Sequence, residues 1–184
     1  MSFKTFLSYV RAAMPQIPWM HWVILGIITL AVVWWGLKRK KDSLYGGVVL
    51  GLAFFYGLFL LDALVVNRPG VVDWLEPDLD LVAEYHRMLQ GNVEYWVFQL
   101  FNVAVFIPFG WLVSECIAEN KGKRSWGLAV LIAFGFSLLI ESLQWFFRVG
   151  FFEVTDLVLN TFGAAVGAAM AIGMRALVRR MKKV

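Results

Sequence analysis

The sequence predicts an all-α integral membrane protein with about five transmembrane helices and short interfacial amphipathic helices. Its mean hydropathy is +0.70, and 60% of its 184 residues are hydrophobic while only 16% are charged. Soluble domains average about 45–50% apolar and about 25% charged residues. Because no long polar stretch interrupts the chain, we expect a single membrane domain over residues 1–184. The nine Trp residues suit anchoring at the two membrane interfaces.

Five apolar segments have the length, about 20 residues, that a helix needs to cross a bilayer. They cover approximately residues 19–37, 44–66, 96–118, 126–147 and 156–178. The apolar residues of segment 3–14 share one helical face, which predicts an interfacial helix. In the polar connection 67–95, apolar residues recur at helical spacing over 72–89, which predicts a helix on the membrane surface.

The distribution of Lys and Arg predicts the orientation, because cytoplasmic loops carry an excess of both. With the N-terminus outside and the C-terminus in the cytoplasm, twelve of the 17 basic residues lie inside. These twelve are Lys38, Arg39, Lys40, Lys41, Lys121, Lys123, Arg124, Arg175, Arg179, Arg180, Lys182 and Lys183. The net charge of +4 therefore reflects topology, and we expect no nucleic-acid partner.

Metal and disulfide chemistry find little support in the sequence. Cys116 is the only cysteine, so it forms no internal disulfide and belongs to no metal motif. His21 and His86 lack metal-ligand spacing and are expected to have structural roles, while Asp62, near the end of a span, is expected to snorkel to the interface. We expect no cofactor.

Polar residues in the last three spans are the strongest indication of a functional site. Asn102, Glu141 and Asn160 lie about 6–9 Å from the outer ends of three different spans, at 1.5 Å per residue. Glu141 and Arg148 are seven residues apart, about 20° apart around a helix, with Gln144 between them. A lone charge at the bilayer centre costs about 2.5–3.5 kcal/mol on insertion scales, so such residues are functional or paired by default. We predict one cavity, open to the outer surface, lined by Asn102, Glu141, Gln144, Arg148, Asp156 and Asn160.

Each of these residues also has a purely structural interpretation. Glu141 and Arg148 could form a salt bridge, Asn102 and Asn160 could link helices, and Asp156 could cap a helix. The common depth of the residues favours a site over these separate roles.

Four further residues are assigned structural roles. Pro108 removes one helical hydrogen bond and predicts a kink. Gly163 and Gly167 form a GxxxG pattern that lets helices approach closely, and Gly110 is grouped with them. Leu157 lies off the stripe of Asp156, Asn160, Gly163 and Gly167 and is expected to face lipid.

The motifs of residues 96–178 resemble those of the VanZ-like family of small bacterial membrane proteins. The segments are N102-V-A-V-F-I-P108-F-G110, then E141-x-x-Q144-x-x-x-R148, then D156-x-x-x-N160-x-x-G163-x-x-x-G167. The resemblance implies a role in low-level resistance to glycopeptide antibiotics, teicoplanin and lipoglycopeptides in particular. The first two spans match the family only in character.

Three functions remain open at this point. The first is binding of a membrane lipid or a lipid-linked cell-wall precursor, with Arg148 facing its phosphate, or binding of the antibiotic itself. The second is an enzyme that modifies a lipid headgroup with Glu141 and Asp156 as acid and base. The third is a lipid transporter or flippase, which the apolar character of the inner halves of the spans disfavours. No catalytic motif stands out, so binding is preferred. The oligomeric state is not predicted.

Overall fold

A computed structural model describes residues 17–39, 44–68, 77–81, 86, 89–90, 93–121 and 125–182. The interfacial helix expected at residues 3–14 lies outside the described residues, as does most of the surface helix expected at 72–89.

Five helices form the described part of the chain, and each corresponds to one predicted span. They are α1 (Trp19–Arg39), α2 (Leu44–Leu61), α3 (Val93–Lys121), α4 (Ser125–Phe146) and α5 (Val154–Met181). A π-helical turn, Asp62–Val66, extends α2. The segments within α2 to α5 are long and apolar enough to cross a membrane, whereas the apolar part of α1, Trp19–Ala31, is shorter. The all-α membrane fold is confirmed, and the crossing of α1 stays a prediction.

Contacts between distant residues show that consecutive helices run antiparallel. His21 at the start of α1 meets Asp62 at the end of α2, and Tyr45 at the start of α2 meets Glu115 near the end of α3. Gln144 near the end of α4 meets Leu64 in the π-helical turn. One end of the bundle therefore holds the π-helical turn, the start of α3 and the α4–α5 loop; we call it the site end. The opposite end, with the terminus of α5, is the C-terminal end.

Helices α3 and α5 make the most extensive contact between any two described elements. A Cβ atom at Gly163 or Gly167 would overlap the carbonyl oxygen of Val103 or Ile107, and one at Gly110 would overlap that of Ala164. The two backbones therefore touch directly, as the GxxxG pattern predicted. Leu157 is buried, so the expectation that it faces lipid is wrong. It shares a helical face with the buried Asn160 and Ala164, and this face of α5 turns into the bundle.

Aromatic side chains fill the space between α2, α3 and α4. Phe109 of α3 stacks on Phe136 of α4 with ring centroids 4.7 Å apart, and Phe106 is fully buried beside them. Pro108 lies inside α3. The Tyr56 hydroxyl of α2 donates to the carbonyl oxygen of Val105, 2.8 Å away, in the turn before this proline. Tyr56 therefore links α2 to the turn of α3 before Pro108, although the carbonyl that this proline leaves without a helical donor is that of Ala104.

A short part of the 67–95 connection is held against the α4–α5 loop. The backbone N–H of Asp78 donates to the Phe152 carbonyl at 2.9 Å, and the N–H of Val154 donates to the Asp78 carbonyl at 3.1 Å. Residues 77–80 are not helical, so the surface helix predicted over 72–89 is wrong for this part. The backbone hydrogen bonds between Asp78 and the loop form here in place of the helix that the spacing of the apolar residues predicts. The connection thereby reaches the start of α5.

Candidate functional site

The site end joins α3 and α5 through a pair that the sequence placed in one cluster. The side-chain amide of Asn102 donates to Oδ1 of Asp156 across 2.6 Å. Asp156 lies in the first turn of α5, where the helix dipole favours a negative charge. Of the roles considered for Asn102, linking helices is thus observed.

Glu141 of α4 is the most deeply buried ionisable residue of the predicted cluster, at 1% exposure. One carboxylate oxygen, Oε2, accepts a hydrogen bond of 3.2 Å from the backbone N–H of Glu153. Glu153 precedes α5 in an extended conformation, so the Glu141 carboxyl group lies at the N-terminus of that helix. The charges of Asp156, Glu153 and Arg68 all act on it. A buried acid surrounded by two further acids and one arginine is therefore the centre of the site end.

Two buried side-chain amides lie near this centre, and in each the NH2 group has a hydrogen-bond partner among the described residues while the carbonyl oxygen has none. The Gln144 amide donates to the carbonyl of Leu64 in the π-helical turn at 3.0 Å, and the Asn160 amide donates to the Ser137 hydroxyl at 3.0 Å. Gln144 is 2% exposed and Asn160 is 3% exposed. Their carbonyl oxygens, Oε1 and Oδ1, find no hydrogen-bond donor among the described residues. Buried acceptors of this kind are costly, so both oxygens suit the donors of a ligand or of water.

Arg148 lies beyond the end of α4, so the expectation that it shares a helical face with Glu141 is wrong. The helix ends at Phe146, and Arg148 has a positive φ of 59°. The Arg148 N–H donates to the Trp145 carbonyl at 3.2 Å and the Val149 N–H to the Gln144 carbonyl at 2.9 Å. This is a Schellman termination, in which the left-handed position usually holds glycine. The Arg148 side chain is exposed at the rim of the site end.

Arg68 belongs to the site end although the sequence reasoning did not single it out. A Cβ atom on the buried Gly150 would lie 3.1 Å from its Nη1 atom and 3.4 Å from the Cβ of Gln144. The guanidinium of Arg68 therefore sits on the α4–α5 loop. Its only signal in the sequence is its place two residues after the apolar segment that ends at Val66, which many interfacial basic residues share.

A histidine–aspartate pair fixes the start of the π-helical turn that precedes Arg68. Nδ1 of His21 lies 2.6 Å from Oδ1 of Asp62, and the Asn67 amide donates to Oδ2 of Asp62 at 2.8 Å. The Asn67 backbone N–H also donates to the Asp62 carbonyl at 2.8 Å. Asp62 is buried, so its predicted snorkelling to the interface is wrong. His21 and Asp62, which were expected to act separately, together with Asn67 anchor the π-helical turn to α1.

A second charged cluster lies near the C-terminal end, where the spans were expected to be apolar. Arg175 of α5 donates to Oε1 of Glu115 at 2.5 Å and to the Ser114 hydroxyl at 3.3 Å. The Tyr45 hydroxyl donates to Oε2 of Glu115 at 2.9 Å. The expectation of apolar inner halves is therefore wrong. Between the two clusters lies the direct backbone contact of α3 and α5 at Gly163 and Gly167.

Within the ranges that the structure describes, no three His, Cys, Asp or Glu side chains come close enough together to hold a metal ion.

A comparison with known protein families shows which family the chain belongs to. A family model described as VanZ/LLP1 matches residues 22–178. The chain belongs to the VanZ/LLP1 family. The match extends over all five helices and includes the three-helix stretch 96–178 that carries the motifs. No curated protein and no solved structure matches the chain. Four apolar helices and this membership together make it a multi-pass membrane protein.

Proposed function

We propose that this VanZ/LLP1 protein binds the headgroup of a lipid-linked cell-wall precursor in the outer leaflet and thereby contributes to glycopeptide resistance. Membership of the family supports the link to glycopeptide resistance, and the choice of teicoplanin follows from the resemblance of the motifs. The excess of Lys and Arg near the C-terminal end supports an outward-facing site end in the bacterial cell membrane.

The observation that carries this proposal is the burial of Glu141 between α4 and α5. A carboxyl group that is 1% exposed in an apolar bundle is costly unless it has a task or a full set of partners. One backbone N–H reaches it, which leaves most of its acceptor capacity for other donors. A helix bundle that needed only packing would place an apolar side chain there.

The residue types at the site end suit a headgroup that carries both hydroxyl groups and phosphate. Carboxylate and amide oxygens accept hydrogen bonds from sugar hydroxyls, and Glu141, Gln144, Asp156 and Asn160 supply such oxygens. The phosphate needs a cation at the rim, and Arg148 is one exposed arginine there that can bind it. Trp145 and Phe146 are exposed beside it and would border the lipid tail.

A resistance assay with matched variants tests this proposal. The protein is produced in a glycopeptide-sensitive bacterium, and the inhibitory concentration of teicoplanin is measured for the native chain, Glu141→Gln and Leu139→Gln. Leu139 is an exposed residue of the same helix turned toward lipid, so its variant controls for a polar substitution in α4. We expect Glu141→Gln to lose most of the protection although its abundance in the membrane is normal. Leu139→Gln should keep its protection per molecule of protein in the membrane, even if its abundance falls. Full protection by Glu141→Gln at normal abundance would remove the basis of the proposal.

A second candidate function is an enzyme that acts on a lipid headgroup. The observation in its favour is the set of acids around Glu141, because Asp156 and Glu153 both act on its carboxyl group. Neighbouring carboxyl groups in different environments are typical of acid–base pairs. The two candidate functions differ in whether the lipid headgroup is chemically changed. Mass spectrometry of a polyprenyl-linked precursor incubated with purified protein would show a changed headgroup for an enzyme and an unchanged one for a binding protein.

A further inference from the structure

The geometry points to Arg68, held on the α4–α5 loop by the π-helical turn, as the residue that binds the phosphate of a sugar-bearing lipid phosphate. This inference rests on the proposed function and deepens it, because it assigns the phosphate and the sugar to two different parts of the site end.

The acids of the site end exclude phosphate from its buried part. Glu141 is buried, and the charges of Glu153 and Asp156 act on it. Phosphate placed beside Glu141 would be repelled by the charges of Glu153 and Asp156, since like charges in a low-dielectric environment disfavour each other strongly. The same oxygens are good acceptors for hydroxyl and amide N–H donors, so a headgroup with a sugar fits there while its phosphate must lie at the rim.

Arg68 lies at the rim and at the correct depth for a lipid phosphate. It follows the apolar segment Tyr45–Val66 by two residues, which places it where a membrane span meets the headgroup layer. Its side chain is exposed. Among the residues that the structure describes, none accepts a hydrogen bond from its guanidinium. A Cβ atom on Gly150 would contact both Nη1 of Arg68 and the Cβ atom of Gln144, so a ligand that touches Arg68 lies close to the buried Gln144.

Three features hold Arg68 in this place. The Asn67 side chain and backbone N–H both bind Asp62, which fixes the residue before Arg68. The Gln144 amide binds the Leu64 carbonyl, which ties the π-helical turn to α4. Gly150 leaves room for the guanidinium, because any side chain at that position would start 3.1 Å from Nη1. The π-helical turn at the end of α2 thereby orients the last residues before the connection.

The positions of Arg68 and Arg148 have different structural causes. Arg148 occupies the left-handed position that terminates α4, so its position follows from the helix end. Arg68 is placed by side-chain hydrogen bonds and by a glycine that makes room for it. A guanidinium positioned in this manner offers the planar pair of donors that binds phosphate through two parallel hydrogen bonds.

Lipid binding by purified variants tests this inference. Native mass spectrometry in detergent is used to titrate the native chain, R68Q, R68K, R148Q and R180Q with a polyprenyl diphosphate that carries N-acetylglucosamine. Phosphatidylglycerol and inorganic phosphate serve as competitors that separate this headgroup from bulk lipid phosphate and from free phosphate. Arg180 is an exposed arginine at the opposite end of the bundle, so R180Q matches the change in charge.

We expect R68Q to weaken binding of the sugar-bearing lipid about 10- to 100-fold, the usual effect of losing charged hydrogen bonds. R68K should fall between R68Q and the native chain, and R180Q should bind like the native chain. Phosphatidylglycerol and inorganic phosphate should compete only at much higher concentration.

Two other outcomes would overturn the inference and are distinguishable. Equal affinity of R68Q and the native chain, with loss of binding in R148Q, would move the phosphate to Arg148 and leave the proposed function intact. A native chain that binds the sugar-bearing lipid no better than phosphatidylglycerol would overturn the proposed function and the role of Arg68 together.

Discussion

Asn102 of α3 donates a hydrogen bond of 2.6 Å to Asp156 of α5, 54 residues later in the chain. The bond closes the site end above the region where the two helices touch backbone to backbone. It therefore serves both the stability of the bundle and the placement of an acid beside Glu141.

This bond should be measurable in a double-mutant cycle with Asn102→Ala and Asp156→Ala. Hydrogen bonds between membrane helices average about 0.6 kcal/mol and reach about 1.7 kcal/mol, and the charged acceptor favours the upper part of that range. We expect a coupling free energy of about 1–1.5 kcal/mol from unfolding in detergent. Additive effects of the two substitutions would mean that the bond contributes nothing to the folded state.

Gly167→Ala should destabilise the protein, whereas Gly173→Ala should not. The new methyl group at position 167 would overlap the Ile107 carbonyl, whereas a Cβ at position 173 meets nothing within 4 Å. Overpacking costs about 1–3 kcal/mol, and removing an unconstrained helical glycine gains up to about 1 kcal/mol. Melting temperatures in one detergent compare the two variants directly. Equal shifts would contradict the direct backbone contact.

The helices were predictable from the sequence because hydrophobicity is a local property. The apolar run 126–147 and the observed helix Ser125–Phe146 differ by one residue at each end. The depth of Asn102, Glu141 and Asn160 followed from helix geometry alone. Their individual partners did not, because each depends on how the helices rotate against one another.

Interactions between distant segments account for what the sequence could not predict. His21 and Asp62 are 41 residues apart, and no spacing rule connects two residues on different spans. The placement of Arg148 on the helical face of Glu141 was wrong because Arg148 occupies a position at which glycine is the usual signal for the end of a helix. Arg68 becomes notable only when Gly150 is seen beneath its guanidinium.

Arg148→Gly and Arg148→Ala separate the backbone of this residue from its side chain. A non-glycine residue in the left-handed region costs about 1–2 kcal/mol, so glycine should raise the free energy of unfolding by about 1 kcal/mol, while alanine should leave it nearly unchanged. Both substitutions remove the guanidinium equally. If Arg148 supplies a cation to the ligand, both variants lose resistance although one of them is more stable. Resistance retained in the glycine variant would restrict Arg148 to its role in ending α4.

Single-cysteine labelling in intact cells tests the orientation. On a Cys116→Ala background, a cysteine at position 80 lies at the site end and one at position 182 at the C-terminal end, and both replaced side chains are exposed. Because most Lys and Arg residues lie toward the C-terminal end, a membrane-impermeant maleimide should label position 80 and not position 182. Permeabilised cells provide the control, in which both positions should react. The reverse pattern would place the site end in the cytoplasm and exclude a precursor in the outer leaflet as the ligand.

The ion pair of Arg175 and Glu115 should matter for stability and not for the ligand. Removing one partner of a buried pair leaves an uncompensated charge and costs about 3–5 kcal/mol, whereas replacing both partners costs much less. We expect Arg175→Met to lose about 3 kcal/mol, since its side chain is 20% exposed, and the double variant Arg175→Met with Glu115→Gln to recover more than half of that loss. Arg179→Met, an exposed arginine on the same helix, should have little effect. The double variant should keep its affinity for the lipid, because the close backbone contact of α3 and α5 separates this pair from the site end. A double variant that is stable but has lost lipid binding would show that the two ends of the bundle are coupled, and a path for lipid through the protein would then become the better hypothesis.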